Sequence, residues 1–193
     1  MTIIEPMVSK FREVPVELEN AKVKIAIEQE MMTPSRGFIA EACKYAHEKK
    51  RSLDVLISSN NDTNTFNDSE IKIMEDDLFQ CQELGVDGVI IGALDDKHKI
   101  DLEAMETLMA AAGGMQLYFS PAFDHIIEKD WTDALNWIDN NNFAGVVAST
   151  RLDHLNEKMK NYQNLQLIPF TETKDELEKL QSSIKPTIII NKK

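Results

Sequence analysis

Short apolar runs alternate with longer amphipathic stretches along the whole chain. Runs at 2–5, 22–28, 53–57, 86–94, 115–119, 143–148, 165–168 and 187–190 predict eight strands. The second alternates strictly, with Val23, Ile25 and Ile27 on one face. The fourth, carrying Val86, Val89, Ile90 and Ile91, has the continuous apolar character of a parallel strand buried on both faces. Between the strands, amphipathic segments predict helices over about 8–19, 34–49, 68–84, 101–112, 152–160 and 173–184, with one more opened by Asp130. Local chemistry sets the boundaries. Thr33 precedes a proline suited to a first helical turn, Asp68 and Asp101 are N-cap residues, and Thr173 with Glu176 forms a capping box. Gly85 and the Gly113–Gly114 pair end helices. Pro6 and Pro169 are expected to stop the first and seventh strands.

Strict alternation of strand and helix implies α/β architecture, a parallel sheet with helical crossovers. Eight strands favour closure, so the expected fold is a compact (β/α)8-type TIM barrel with eight parallel strands and about seven helices. The 193 residues suit one domain over 1–193, with no composition break that marks a linker. Barrels of this kind typically run to about 250 residues; minimal loops and a missing eighth helix would account for the shorter chain.

Composition narrows the function. With 42% hydrophobic residues the chain can bury a sizeable core, and its formal charge of −12 repels phosphate backbones and anionic lipid. Nucleic acid and membrane are therefore not expected partners. There is no leader-like segment and no apolar run near the roughly 18 residues of a membrane span. Two cysteines, Cys43 and Cys81, lie in helical patterns without metal-type spacing, which fits a reduced, cytoplasmic protein. A homodimer is the oligomer to expect, as the commonest soluble assembly.

Several motifs carry a resemblance. Thr33-Pro34-Ser35-Arg36-Gly37, Asn67-Asp68-Ser69-Glu70, Glu83-Leu84-Gly85-Val86-Asp87-Gly88-Val89-Ile90-Ile91-Gly92-Ala93-Leu94 and Ala122-Phe123-Asp124 resemble segments of the CutC copper-homeostasis family. The likeness runs from about Lys22 to Val147, and it implies a TIM barrel, an intracellular location and a role in copper homeostasis. The departures are concentrated at strand ends. Where the family shows Met-Ile-Arg-Pro-Arg-Gly-Gly, this chain has Leu56-Ile57-Ser58-Ser59-Asn60-Asn61-Asp62. Ser120 replaces its strand-five His, Met7 its strand-one Cys, and Val23-Lys24-Ile25-Ala26 its Val-Glu-Leu-Cys.

In such barrels function sits at the C-terminal ends of the strands. Copper(I) prefers soft thiolate or thioether ligands, and Met7, Met31 and Met32 fall near the ends of strands one and two, where they either ligate copper or fill space. An acidic rim of Glu5, Glu28, Glu30, Asp62, Asp124 and Glu172 could hold a hard cation. Phosphate binding is disfavoured, since no glycine follows Gly145. No serine has an evident histidine partner, so the chain reads as a binding protein rather than an enzyme. If a general base exists, Asp124 or Glu5 is the residue to expect, with Ser58, Asn60, Ser120 and Arg151 orienting a ligand. Because the family's polar groups around it are lost, Asp124→Ala is expected to leave the fold intact. Beside the copper role stand two alternatives: a diverged barrel for a small neutral or cationic ligand, and an interaction barrel without a small-molecule site.

Overall fold

A computed structural model describes residues 3–182, 186 and 188–192. Eight strands close into an all-parallel barrel in chain order: β1 (Ile3–Val8), β2 (Lys24–Ile27), β3 (Ser52–Leu56), β4 (Gly88–Ile91), β5 (Gln116–Phe119), β6 (Gly145–Ala148), β7 (Gln166–Thr171) and β8 (Ile188–Lys192). Seven helices among the described residues cross between them: α1 (Val14–Asn20), α2 (Arg36–Glu48), α3 (Asp68–Leu84), α4 (Leu102–Ala112), α5 (Trp131–Asn140), α6 (Leu152–Met159) and α7 (Lys174–Ser182). The expected TIM barrel is therefore present. No helix among the described residues is long and apolar enough to cross a membrane.

Neither proline stops its strand. β1 runs through Pro6 and β7 through Pro169. The register gives the reason. Pro6 lies opposite Asn191 of β8, and β2 joins β1 only from Met7; Pro169 lies opposite Ala148 of β6, and β8 joins β7 only from Phe170. Each proline thus sits where a neighbour is still missing, the edge-like position that tolerates its lost N–H. Because β1 continues to Val8, the first helix starts later than its pattern suggests, after a 3-10 turn at Phe11–Glu13 and with Pro15 in the first turn of α1. Two caps also shift by a residue or two. Ser35, not Thr33, caps α2, and Asn67 caps α3 in a full capping box with Glu70. Thr33 instead ties the mouth together, its Oγ1 accepting from Ser58 N at 3.1 Å. The Thr173–Glu176 box forms as expected. The expected ends of the first and last strands at Thr2 and Thr187, and of the last helix at Ile184, lie outside the described residues.

Two apolar clusters divide the core. The larger lies between strands and helices and includes Trp131, which is 1% exposed and donates from Nε1 to Ile126 O at 3.1 Å. The smaller fills the barrel itself with Met7, Ala26, Leu56, Ile90, Tyr118, Val147, Ile168, Phe170 and Ile190. Period-two alternation fixes this division, one face of each strand toward the helices and the other toward the axis.

Candidate functional site

Alternate positions along each strand define three tiers inside the barrel. The lowest is charged. Lys24 Nζ lies 2.6 Å from Asp54 Oδ2, 3.7 Å from Glu5 Oε2 and 3.9 Å from the centre of the Tyr118 ring. All four residues are buried, and neither Glu5 oxygen has a hydrogen-bond partner among the described residues. Room for Asp54 comes from Gly88, where a Cβ would fall 2.3 Å from Asp54 Oδ1. Burial pushes the Glu5 carboxyl up to about 7, against the pull of Lys24. Burial likewise raises Asp54 and Tyr118. It works against the charge on Lys24, yet Asp54 and then Glu5 hold its ammonium above the ordinary lysine range. One cation thus faces two carboxyls, both of which burial pushes toward the protonated form. Above this tier the smaller apolar cluster seals the barrel.

The top tier faces the C-terminal mouth, and alternation supplies it from Ser9, Glu28, Ser58, Gly92, Ser120, Ser149, Glu172 and Lys192. One half is charged and closed on itself. Glu28, 0% exposed, accepts from the Ser9 hydroxyl and from Met31 N at 2.5 Å, and lies 3.5 Å from Lys192 Nζ. Lys192 also lies 3.9 Å from Glu172. Glu28 therefore pins the loops after β1 and β2 to the end of β8. The other half carries no charge at its strand ends and opens on a cavity of about 180 Å³ lined by Ser58, Asn60, Gly92, Ser120 and His125, with Met31 and Leu56 in its wall.

Three of the four expected orienting residues, Ser58, Asn60 and Ser120, thus share a cavity. Arg151 does not join them. It lines a separate space of about 800 Å³ over the ends of β6 and β7 and beside α6 and α7. Its guanidinium is occupied locally, donating to Asp124 O at 2.5 Å and Ile126 O at 3.2 Å, 4.8 Å over the Trp131 ring. Glu5 lies below the apolar seal at 1% exposure, away from any ligand at the mouth. Asp124 is a clamp. Its Oδ2 accepts from Ser149 N and Oγ at 2.9 and 2.7 Å, and its Oδ1 from Thr150 N and Oγ1 at 3.0 and 2.9 Å. These bonds order the loop after β6. Asp124→Ala is therefore expected to lower stability by about 2 kcal/mol, since hydrogen bonds to an ionised group are the stronger kind. Amide exchange at Ser149 and Thr150 should accelerate with it; unchanged protection at both would leave the loop ordered by other contacts.

The metal candidates separate in the same way. Met7, 2% exposed, belongs to the cluster filling the barrel, and Met31 packs against that cluster; Met32 is outside it. Both cysteines lie outside the barrel, on α2 and α3. Cys43 Sγ donates to Leu84 O at 3.3 Å, burial raises its thiol, and burial pushes that of Cys81 up to about 12. Metal ligation takes the thiolate, so neither thiol is prepared for it. Among the described residues no three His, Cys, Asp or Glu side chains are grouped to hold a metal. The acidic rim is dispersed accordingly: Glu5 below, Glu28 and Glu172 beside Lys192, Asp124 in its clamp.

As site residues, Lys24, Asp54 and Lys192 escaped the reading of the sequence, which placed Glu28 only in an acidic rim. Their signal was present in part. If Val23, Ile25 and Ile27 share one strand face, Lys24, Ala26 and Glu28 share the other, and in a closed barrel that second face is interior.

The family model described as the CutC family matches residues 17–169. A CutC family protein of Streptococcus pyogenes is 36% identical over 116 residues, spanning 60% of this chain and 56% of that protein. Another, from Enterococcus faecalis, is 32% identical over 134 residues, spanning 65% of this chain and 64% of that protein. The chain thus covers under two thirds of the length of either relative. In architecture it resembles a candidate copper homeostasis protein, CutC, from Streptococcus agalactiae, with a TM-score of 0.90 at 23% identity over 99% of this chain and 98% of that one.

Proposed function

The chain belongs to the CutC family, and we propose that it serves copper homeostasis by binding Cu(I) as cargo through the thioethers of Met7 and Met31. The observation that carries this reading is their convergence on the apolar cluster just below the mouth, one from β1 and the other from the loop after β2. Thioether sulfur is soft and suits Cu(I), whereas the alternative ligands, the two thiols, are buried among helices and protonated. The residues present fit a site of low coordination only, because no His, Cys or carboxylate group of three stands beside the sulfurs among the described residues. Such a site would pass copper on rather than store it.

The test is anaerobic Cu(I) titration against a competing chelator. The Met7→Leu/Met31→Leu variant is expected to lose binding that both Met32→Leu and Cys43→Ser/Cys81→Ser retain. Binding that follows the cysteines, or no competition in the unaltered protein, overturns the reading.

A further inference from the structure

We propose that the half of the barrel mouth whose strand ends carry no charge is a binding site for a small neutral polyol of about four or five carbons. The cavity of about 180 Å³ is large enough to hold several waters. A short polyhydroxylated chain or pentose fills a comparable space. The lining supplies complementary hydrogen-bonding groups. Ser120 is 6% exposed, and its Oγ accepts from Ala122 N at 3.2 Å, which leaves its hydroxyl proton to donate. Ser58 Oγ gives its proton to Asn60 O at 2.6 Å, which leaves its lone pairs to accept. One wall therefore donates where the other accepts, and an alcohol, which does both, matches the pair.

Gly92 lies between these serines in the barrel order, and its lack of a side chain is what keeps the space open. A Cβ at Gly92 would come 2.4 Å from Ser120 Oγ and 3.2 Å from Ala122 Cβ. Leu56 and Met31 offer an apolar surface for the C–H face of a polyol. Charge selects against anions. Among the described residues no lysine or arginine lines the cavity, and Asp62 at its edge repels phosphate and carboxylate. The site is independent of the copper reading, which shares only Met31 with it.

Binding is tested by amide-resolved NMR titration of the full chain with erythritol and D-ribose, and with glycerol 3-phosphate as the anionic counterpart. Saturable shifts at Ser58, Gly92 and Ser120 with a Kd in the millimolar range are expected for a neutral polyol. Ser120→Ala should weaken binding about tenfold, Gly92→Ala should abolish it, and Met7→Leu should leave it unchanged, with thermal melts checking that each variant is folded. Three outcomes overturn the proposal: no saturable shift with either polyol up to about 0.1 M, equal binding of glycerol 3-phosphate, or undiminished binding in folded Ser120→Ala.

Discussion

Replacing Lys24 with methionine is expected to destabilise the barrel by about 3–5 kcal/mol, the usual cost of removing one partner from a buried ion pair. The ammonium lies 2.6 Å from Asp54 and 3.7 Å from Glu5 inside a sealed tier, so its loss leaves two carboxyls with no cation. It also removes the contact with the Tyr118 face. The cost comes from stranded charge rather than from lost attraction, so a second change should restore much of it. Lys24→Met/Asp54→Leu, which replaces the pair by apolar groups, is expected to recover most of the lost stability. Urea unfolding of the single and double variants measures both. A single variant within about 1 kcal/mol of the parent would show that water or a proton satisfies Asp54 without Lys24.

Glu5 should make stability fall as pH rises. Its folded-state pKa is about 7 against an ordinary 4.5, so below pH 4.5 the carboxyl is neutral in both states and its contribution is fully present. Between the two values the unfolded chain releases the proton while the folded one retains it, and stability is lost until the folded group ionises near pH 7. The shift corresponds to about 3 kcal/mol. Glu5→Gln keeps the shape and removes the titration. The variant should therefore gain about 3 kcal/mol relative to the parent between pH 4.5 and pH 8. Chemical denaturation across that range follows the difference, and parallel stability curves for the two proteins would place the proton elsewhere in the tier. Asp54 and Lys24 titrate with Glu5 as a unit, so the measured midpoint belongs to the cluster.

The first effect arises from the residue that marks the chain's departure from its family pattern on the second strand; the second arises from burial of Glu5, which that residue opposes. As a sequence feature, Lys24 reads as a lost carboxylate at that position. In the fold it is the cation that lets Glu5 and Asp54 share the barrel interior. The methionines show a similar split: Met7 and Met31 meet at one cluster, and Met32 next in the chain does not, because Met31 adopts a left-handed backbone, φ 59°, where its N–H bonds Glu28. No spacing rule in the sequence distinguishes the two.

The order of apolar and amphipathic segments was enough to indicate eight strands and the helices between them and to favour closure into a barrel, which the family resemblance also implied. These are consequences of local periodicity, since a run of period two can bury its faces only in a sheet, and parallel neighbours require a crossover. Capping at Thr173 and Asp101 was legible for the same reason, because donor and acceptor lie within one turn. What only the tertiary structure decided is which polar side chains meet. Glu5, Lys24 and Asp54 come from three strands, and Asp124 finds its partners 25 and 26 residues away. Such contacts depend on inter-strand register and on the tilt that closure imposes. Pro6 and Pro169 were misjudged for that reason as well: whether a missing N–H costs anything is settled by the neighbouring strand, which the residue's own segment does not contain.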